Sequence, residues 1–288
     1  MQKNKSFQGL LLLLQIATVA VFAGRAWQHL YWDAPYRALL WDEAWMSGIV
    51  EQVLGLEWSE YITSERTDRM IQHSIRLTGG LYALCALVAA FARRLPRYCL
   101  HLLPLGTLGL TFLAALYCKE KFFALGQFFE YSLQIVTPLL FYDLFRRQSL
   151  GRYTIRIIKI AIVLTFCCHG LYAINYYPRP GYFVGMTINI LGVEEGTAHQ
   201  FLWWAGFMDF LGSFLLLVLP HRRLRPVLWY LIIWGLGTTL ARVWAHFYWD
   251  FVGDSLLQWL HESVMRGPHF LVPLGLYVYL FSGRLWKG

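Results

Sequence analysis

The sequence predicts an all-α polytopic membrane protein, with eight transmembrane helices built as two four-helix repeats in the same orientation. Three observations carry that prediction: an apolar composition, apolar runs of bilayer length, and basic clusters at every second boundary between the runs. Hydrophobic residues make up 57% of the 288, aromatics 17% and charged residues 15%, and mean hydropathy is +0.44. These values lie well outside the range of soluble domains. The formal charge of +8 is distributed in short clusters between apolar runs, as topology signals are, which argues against a nucleic-acid surface. The partner this composition implies is a lipid bilayer.

A helix crossing a bilayer needs about 20 predominantly apolar residues. Runs of that kind cover 7–27, 70–92, 98–117, 122–145, 155–177, 199–219, 226–247 and 259–282. The first follows Lys3 and Lys5 and resembles a secretory signal, but it reads as a retained first span. Lys3/Lys5, Arg93/Arg94/Arg97, Arg146/Arg147/Arg152/Arg156/Lys159, Arg222/Arg223/Arg225 and Arg284/Lys287 can all lie on one side. Both termini are then expected to be cytoplasmic, in a bacterial inner membrane.

The opposite side is acidic where it is long. Residues 28–69 carry Asp33, Asp42, Glu43, Glu51, Glu57, Glu60, Glu65 and Asp68 together with Trp32, Trp41, Trp45 and Trp58. This pattern predicts one or two amphipathic helices lying on the outer surface. The counterpart at 178–198 is shorter and carries Glu194 and Glu195.

Two stretches share one plan, VFAGRAWQHLYWDAPYRALL from Val21 and LTFCCHGLYAINYYPRPGYFVGM from Leu164. In each, an apolar helix interior holds one ionisable residue, Arg25 or His169. An aromatic cluster, a proline (Pro35 or Pro180) and a short run that folds back along the interface follow. Further echoes occur in the same order: Arg93-Arg94-Leu95 with Arg222-Arg223-Leu224, Gly106/Gly109 with Gly235/Gly237, and TPLLFYDLF from Thr137 with VPLGLYVYLF from Val272. They divide the chain into a first repeat at 1–150, carrying the Trp-rich segment, and a second at 151–288.

With CHGLYAINYYPRPGYF, GFMDFLG and ESVMRGPHFLVP, this four-span architecture resembles the DoxX/DoxD-like membrane superfamily, here as a tandem pair. The resemblance implies a small bundle linked to quinone or thiol redox chemistry or to partner subunits. It brings no catalytic motif to particular residues.

Ionisable residues inside the spans gather toward the outer half: Arg76, Glu130, His169, Asp209, Arg242, His246, Glu262, Arg266 and His269. Glu130 is expected roughly 12 Å and Asp209 about 15 Å from the outer end of its span. A charge in hydrocarbon must face the bundle interior and be paired, so a polar, outward-facing pocket is predicted. Arg76 with Glu130, and Arg242 or Arg266 with Asp209 or Glu262, are the available pairs. Arg25 and Glu262 are expected to snorkel to the interface. The densest segment, 259–270, packs His261, Glu262, Arg266 and His269 into three turns.

His169, His246 and His269 raise the possibility of haem or metal. No two histidines on one helix have i, i+4 spacing, so a quinone is expected in preference to haem and no metal site is assigned. Five cysteines without CxxC give neither a disulfide framework nor a redox motif, and Cys167-Cys168 reads as packing. Phosphate-loop, HExxH and GxSxG motifs are absent. The function expected is a redox-associated subunit that binds a quinone-like or lipidic molecule. The alternative is a non-catalytic subunit docking other membrane proteins through 29–69 and its aromatic helix faces. A transporter is disfavoured because the charges lie toward one face, no span reads as broken near the midplane, and the inner half holds few polar residues besides His101.

Overall fold

A computed structural model describes residues 2–281, with side chains from residue 5 onward; Arg284, Lys287 and the Lys3 side chain lie outside the described residues. The described chain is helical throughout. In order the helices are α1 (Gln2–Tyr31), α2 (Arg37–Leu40), α3 (Glu43–Ile49), α4 (Trp58–Thr63), α5 (Glu65–Ala90), α6 (Leu102–Glu120) and α7 (Leu125–Glu130). They continue as α8 (Ser132–Arg147), α9 (Thr154–Ala173), α10 (Gly181–Leu191), α11 (Glu195–Val218), α12 (Arg225–Ala245), α13 (Val252–Met265) and α14 (Pro268–Phe281). Six stretches are long and apolar enough to cross a membrane: 5–31, 65–90, 97–120, 154–173, 195–218 and 225–245.

The expected fourth and eighth spans are each two helices rather than one. The chain between α7 and α8 breaks at Tyr131, and that between α13 and α14 breaks at Arg266 and Gly267. Buried backbone groups freed by a break need partners in a low-dielectric interior. Thr165 on α9 accepts from the Leu133 N–H at 3.1 Å, and Thr239 on α12 donates to the Arg266 carbonyl at 3.2 Å. Pro268 begins α14, where its missing N–H costs nothing. The expectation of continuous helices over 122–145 and 259–282 therefore fails.

Helix α1 is the hub, packing on α5, α8, α13 and α14. Leu10, Leu14, Val21 and Phe22 are 0% exposed on it. Its backbone approaches α13 closely at Gly24, where an added Cβ would stand 2.6 Å from the Met265 nitrogen; only a small residue allows that separation. Within the first half α1 packs on α5, α5 on α6, α6 on α8 and α8 on α1. In the second, α9 packs on α11, α11 on α12, α12 on α14 and α14 on α9.

The Trp-rich segment of the first half forms three short helices, α2 to α4, and a π-helical turn at Val50–Leu54. Charge ties it down. Arg37 bridges Asp33 at 2.9 Å and Asp68 at 2.6 Å, while Asp42 caps α3 and pairs with Lys119 at the end of α6. Lys159, one of the basic cluster at 146–159, is buried and donates to the Leu216 carbonyl at 2.8 Å. There it satisfies one of the unpaired carbonyls that end α11.

Candidate functional site

The second half holds a cavity of about 260 Å³ between α9, α10, α11, α12 and the break before α14, with Glu130 entering from the end of α7. The helices come close enough to build it because Gly170 on α9 faces Gly206 on α11; a Cβ on Gly206 would lie 2.9 Å from the Gly170 carbonyl oxygen. That contact brings His169 within reach of Asp209.

Five of the nine residues singled out from the sequence line this cavity: Glu130, His169, Arg242, Arg266 and His269. Two more stand directly behind them. Asp209, 0% exposed, binds His169 Nδ1 at 3.1 Å and accepts from the Tyr230 hydroxyl at 3.0 Å. Glu262 binds Arg242 Nε at 2.6 Å and Arg266 at 3.0 Å. One carboxylate thus neutralises part of two buried cations, and Arg242 also lies over the Tyr182 ring at 4.4 Å. A cation held over a ring face is further stabilised.

Arg76 and His246 are not brought to the cavity. Arg76 is exposed on α5, so the expected pairing with Glu130 does not form. His246 stacks on Trp259 with ring centroids 4.0 Å apart and binds the Arg242 carbonyl at 2.9 Å. Neither expected snorkeller reaches the interface. Arg25 is 0% exposed, donating to Gln134 at 2.8 and 3.0 Å and to Gln28 at 2.7 Å, and Glu262 is held by its two arginines. Both side chains find interior partners, which outweigh the gain from reaching water.

The cavity's polar edges are unequally satisfied. With Nδ1 directed to Asp209, the Nε2 edge of His169 has no protein partner and is not sealed from the cavity. No hydrogen bond or ion pair holds the Glu130 carboxylate, though Arg266 and His169 lie within electrostatic range of it. The Trp234 indole N–H, near Asp209 but outside hydrogen-bonding geometry, is sealed behind this wall. Unmet groups at a cavity edge, as at Glu130 and His169, are uncommon in native interiors and mark places where a ligand can complete the bonding.

The apolar wall was not foreseen. Helix α10 supplies Phe183, Met186, Thr187, Ile190 and Leu191, and α11 supplies Phe201 and Leu202. The α10 set repeats at i, i+3, i+4, i+7 and i+8, the spacing of one helix face, and that periodicity after Pro180 could have identified it. Thr165, Trp234 and Tyr230 leave no comparable mark in the sequence. Among the described residues no three His, Cys, Asp or Glu side chains gather as metal ligands, and all five cysteines are free. No family model, curated protein or solved structure matches the chain.

Proposed function

We propose that the chain is a DoxX-like integral membrane protein of a bacterial inner membrane, a redox-associated subunit that binds a quinone-like or lipidic molecule in the cavity of its second half. The observation that carries this reading is a chamber with an apolar aromatic wall and, at its polar edge, the unbonded Glu130 carboxylate and the open Nε2 edge of His169, whose ring packs beside Phe183 with centroids 5.1 Å apart. An apolar ring can lie against Phe183 and Phe201 while its oxygens meet Glu130 or the His169 Nε2 edge. Asp209 fixes the orientation of the imidazole, and with it the edge that can give or take a proton.

In this reading the bundle is two same-orientation units, 1–150 and 151–288, making eight crossings with both termini cytoplasmic. Reciprocal packing supports it: α1 meets α13 and α14 of the other half, as α9 meets α7 and α8. A two-fold related interface has that property. The breaks agree as well, with Tyr131 seven residues before Pro138 and Arg266 seven before Pro273.

The test is solvent extraction of the protein purified in mild detergent, with mass spectrometry of what co-purifies. A stoichiometric quinone is expected on the wild type and at least about tenfold less, or roughly 1.4 kcal/mol weaker binding, on Glu130→Gln. No co-purifying apolar molecule, or full retention in Glu130→Gln and His169→Gln, would remove the reading.

A second reading is favoured by a different feature. Trp41, Trp45, Val53 and Leu54 are 41%, 57%, 74% and 54% exposed on the outer segment, outside the membrane-spanning stretches. Exposed aromatics beside charges suit docking to another membrane subunit. Isolation with a stoichiometric partner that is lost in Trp45→Ala would support it.

A further inference from the structure

On the side of the molecule opposite the cavity, the end of α5, the start of α6 and the ends of α1 and α8 meet at a basic groove. It has two adjoining hollows of about 550 and 390 Å³, both lined by Arg97 and Arg146. We infer that this groove is a binding site for the phosphate-bearing headgroup of an anionic phospholipid, independent of the ligand proposed above.

The charge balance comes first. Arg93, Arg97, Arg146 and Arg147 line the groove with one carboxylate, Asp143, which is bound to Arg147 at 2.6 Å. Among the described residues, the other three guanidinium groups have no carboxylate partner. Arg146 is oriented by the Tyr142 hydroxyl, to which it donates at 2.5 Å, and that hydroxyl meets His101 Nδ1 at 2.9 Å. Arg146 also lies over the Tyr142 ring at 5.2 Å, as Arg152 and Arg156 lie by Tyr153 and Arg225 over Phe281. Among the described residues, no ring lies beneath Arg93 or Arg97. Paired guanidiniums facing one opening present forked donors that match phosphate oxygens.

The floor identifies a lipid rather than free phosphate. Leu95 and Phe145, partly exposed, line the smaller hollow beside Arg93, Arg97 and Arg146, over the buried Leu11 and Leu100. An apolar surface continuing from a cationic rim at the ends of membrane helices accommodates a headgroup and the first carbons of its acyl chains. Inorganic phosphate would gain nothing from it. Basic pockets between helix ends on the cytoplasmic side are suited to anionic lipids.

The experiment uses the full chain in detergent, titrated separately with phosphatidylglycerol, phosphatidylcholine and inorganic phosphate, with retained lipid and thermal midpoint as readouts. Phosphatidylglycerol is expected to be retained and to raise the midpoint, while phosphatidylcholine and phosphate are not. Retention is expected to fall about fivefold for each arginine removed in Arg97→Gln and Arg146→Gln. Arg222→Gln with Arg223→Gln, which removes equal charge outside the groove, should leave it unchanged. Equal loss in that control, equal binding of phosphatidylcholine, or displacement by millimolar phosphate would each overturn the inference. The headgroup comparison on the wild type needs no variant to fold.

Discussion

Arg25 in the first half and His169 in the second occupy the same register on their helices, yet one site is filled and the other open. Each lies four residues before the side chain that meets a glycine on the next long helix. A Cβ on Gly79 would stand 2.9 Å from His29 Cβ, and one on Gly206 3.1 Å from Ala173 Cβ. Arg25 reaches across to Gln134 on α8 and lies 4.9 Å from the Tyr131 ring and 5.8 Å from that of Tyr117. Its guanidinium consumes the polar groups around it. His169 is shorter and is turned back onto Asp209, so the space ahead of it stays open. The difference teaches that in this bundle a cavity follows from side-chain reach as much as from helix placement.

The comparison breaks most severely if the filled site is emptied. Arg25→Ala leaves a void and strands the amide oxygens of Gln134 and Gln28, each worth roughly 1–3 kcal/mol when unsatisfied and buried. The expected result is loss of the monodisperse protein or a fall in its thermal midpoint larger than that of any cavity-lining variant. A midpoint within a few degrees of wild type would show that the first half does not depend on this plug.

The next effect is smaller. Glu262→Gln keeps shape but leaves Arg242 and Arg266 without their shared charge, and breaking a buried pair of this kind costs about 3–5 kcal/mol. Retention of one amide hydrogen bond puts the expected loss near the lower figure, measured as thermal unfolding in detergent. Glu130→Gln, whose carboxylate has no protein partner, should cost little by the same measure. Equal destabilisation by the two variants would contradict the division between a bonded and an unmet carboxylate.

How much of this was readable beforehand depends on what each feature rests on. Apolar length gave six of the spans, because a bilayer sets a length that composition must meet. It could not give the breaks at Tyr131 and Arg266, since the apolar runs continue through them and Thr165 and Thr239 satisfy the freed groups from distant helices. The clustering of Glu130, His169, Asp209, Arg242, Glu262, Arg266 and His269 followed from the cost of charge in hydrocarbon. Which of them pair did not follow, because depth says nothing about facing. Arg25 was misassigned to the interface for the same reason: its partner Gln134 lies 109 residues away.

The comparison is sharpened by filling the open site. His169→Arg places at the second register the side chain found at the first, with Asp209 retained as its acceptor. The fold is expected to persist, with a stability change smaller than that of Glu262→Gln. Any co-purifying apolar molecule should fall at least about tenfold. Undiminished retention would mean that the ligand lies elsewhere.

The segments that join α1 to α5 and α9 to α11 differ in the same spirit, and acid should separate them. The segment before α5 is fastened by charge, through Arg37 and through Asp42 with Lys119, whereas α10 is fastened by its apolar face. The hydrogen bond from Lys119 holds the Asp42 carboxyl below its ordinary value of 3.8, and this exposed group is screened by solvent, so the effect is the smallest of the four. A carboxyl depressed in the folded state stabilises it above the unfolded value and loses that contribution as pH falls through the folded one. Hydrogen exchange across 36–49 is therefore expected to accelerate as pH drops below 3.8, relative to the intrinsic rates, while 181–191 stays protected. The same loosening should be present at neutral pH in Lys119→Gln, and equal acid sensitivity of both segments would show that charge is not what distinguishes them.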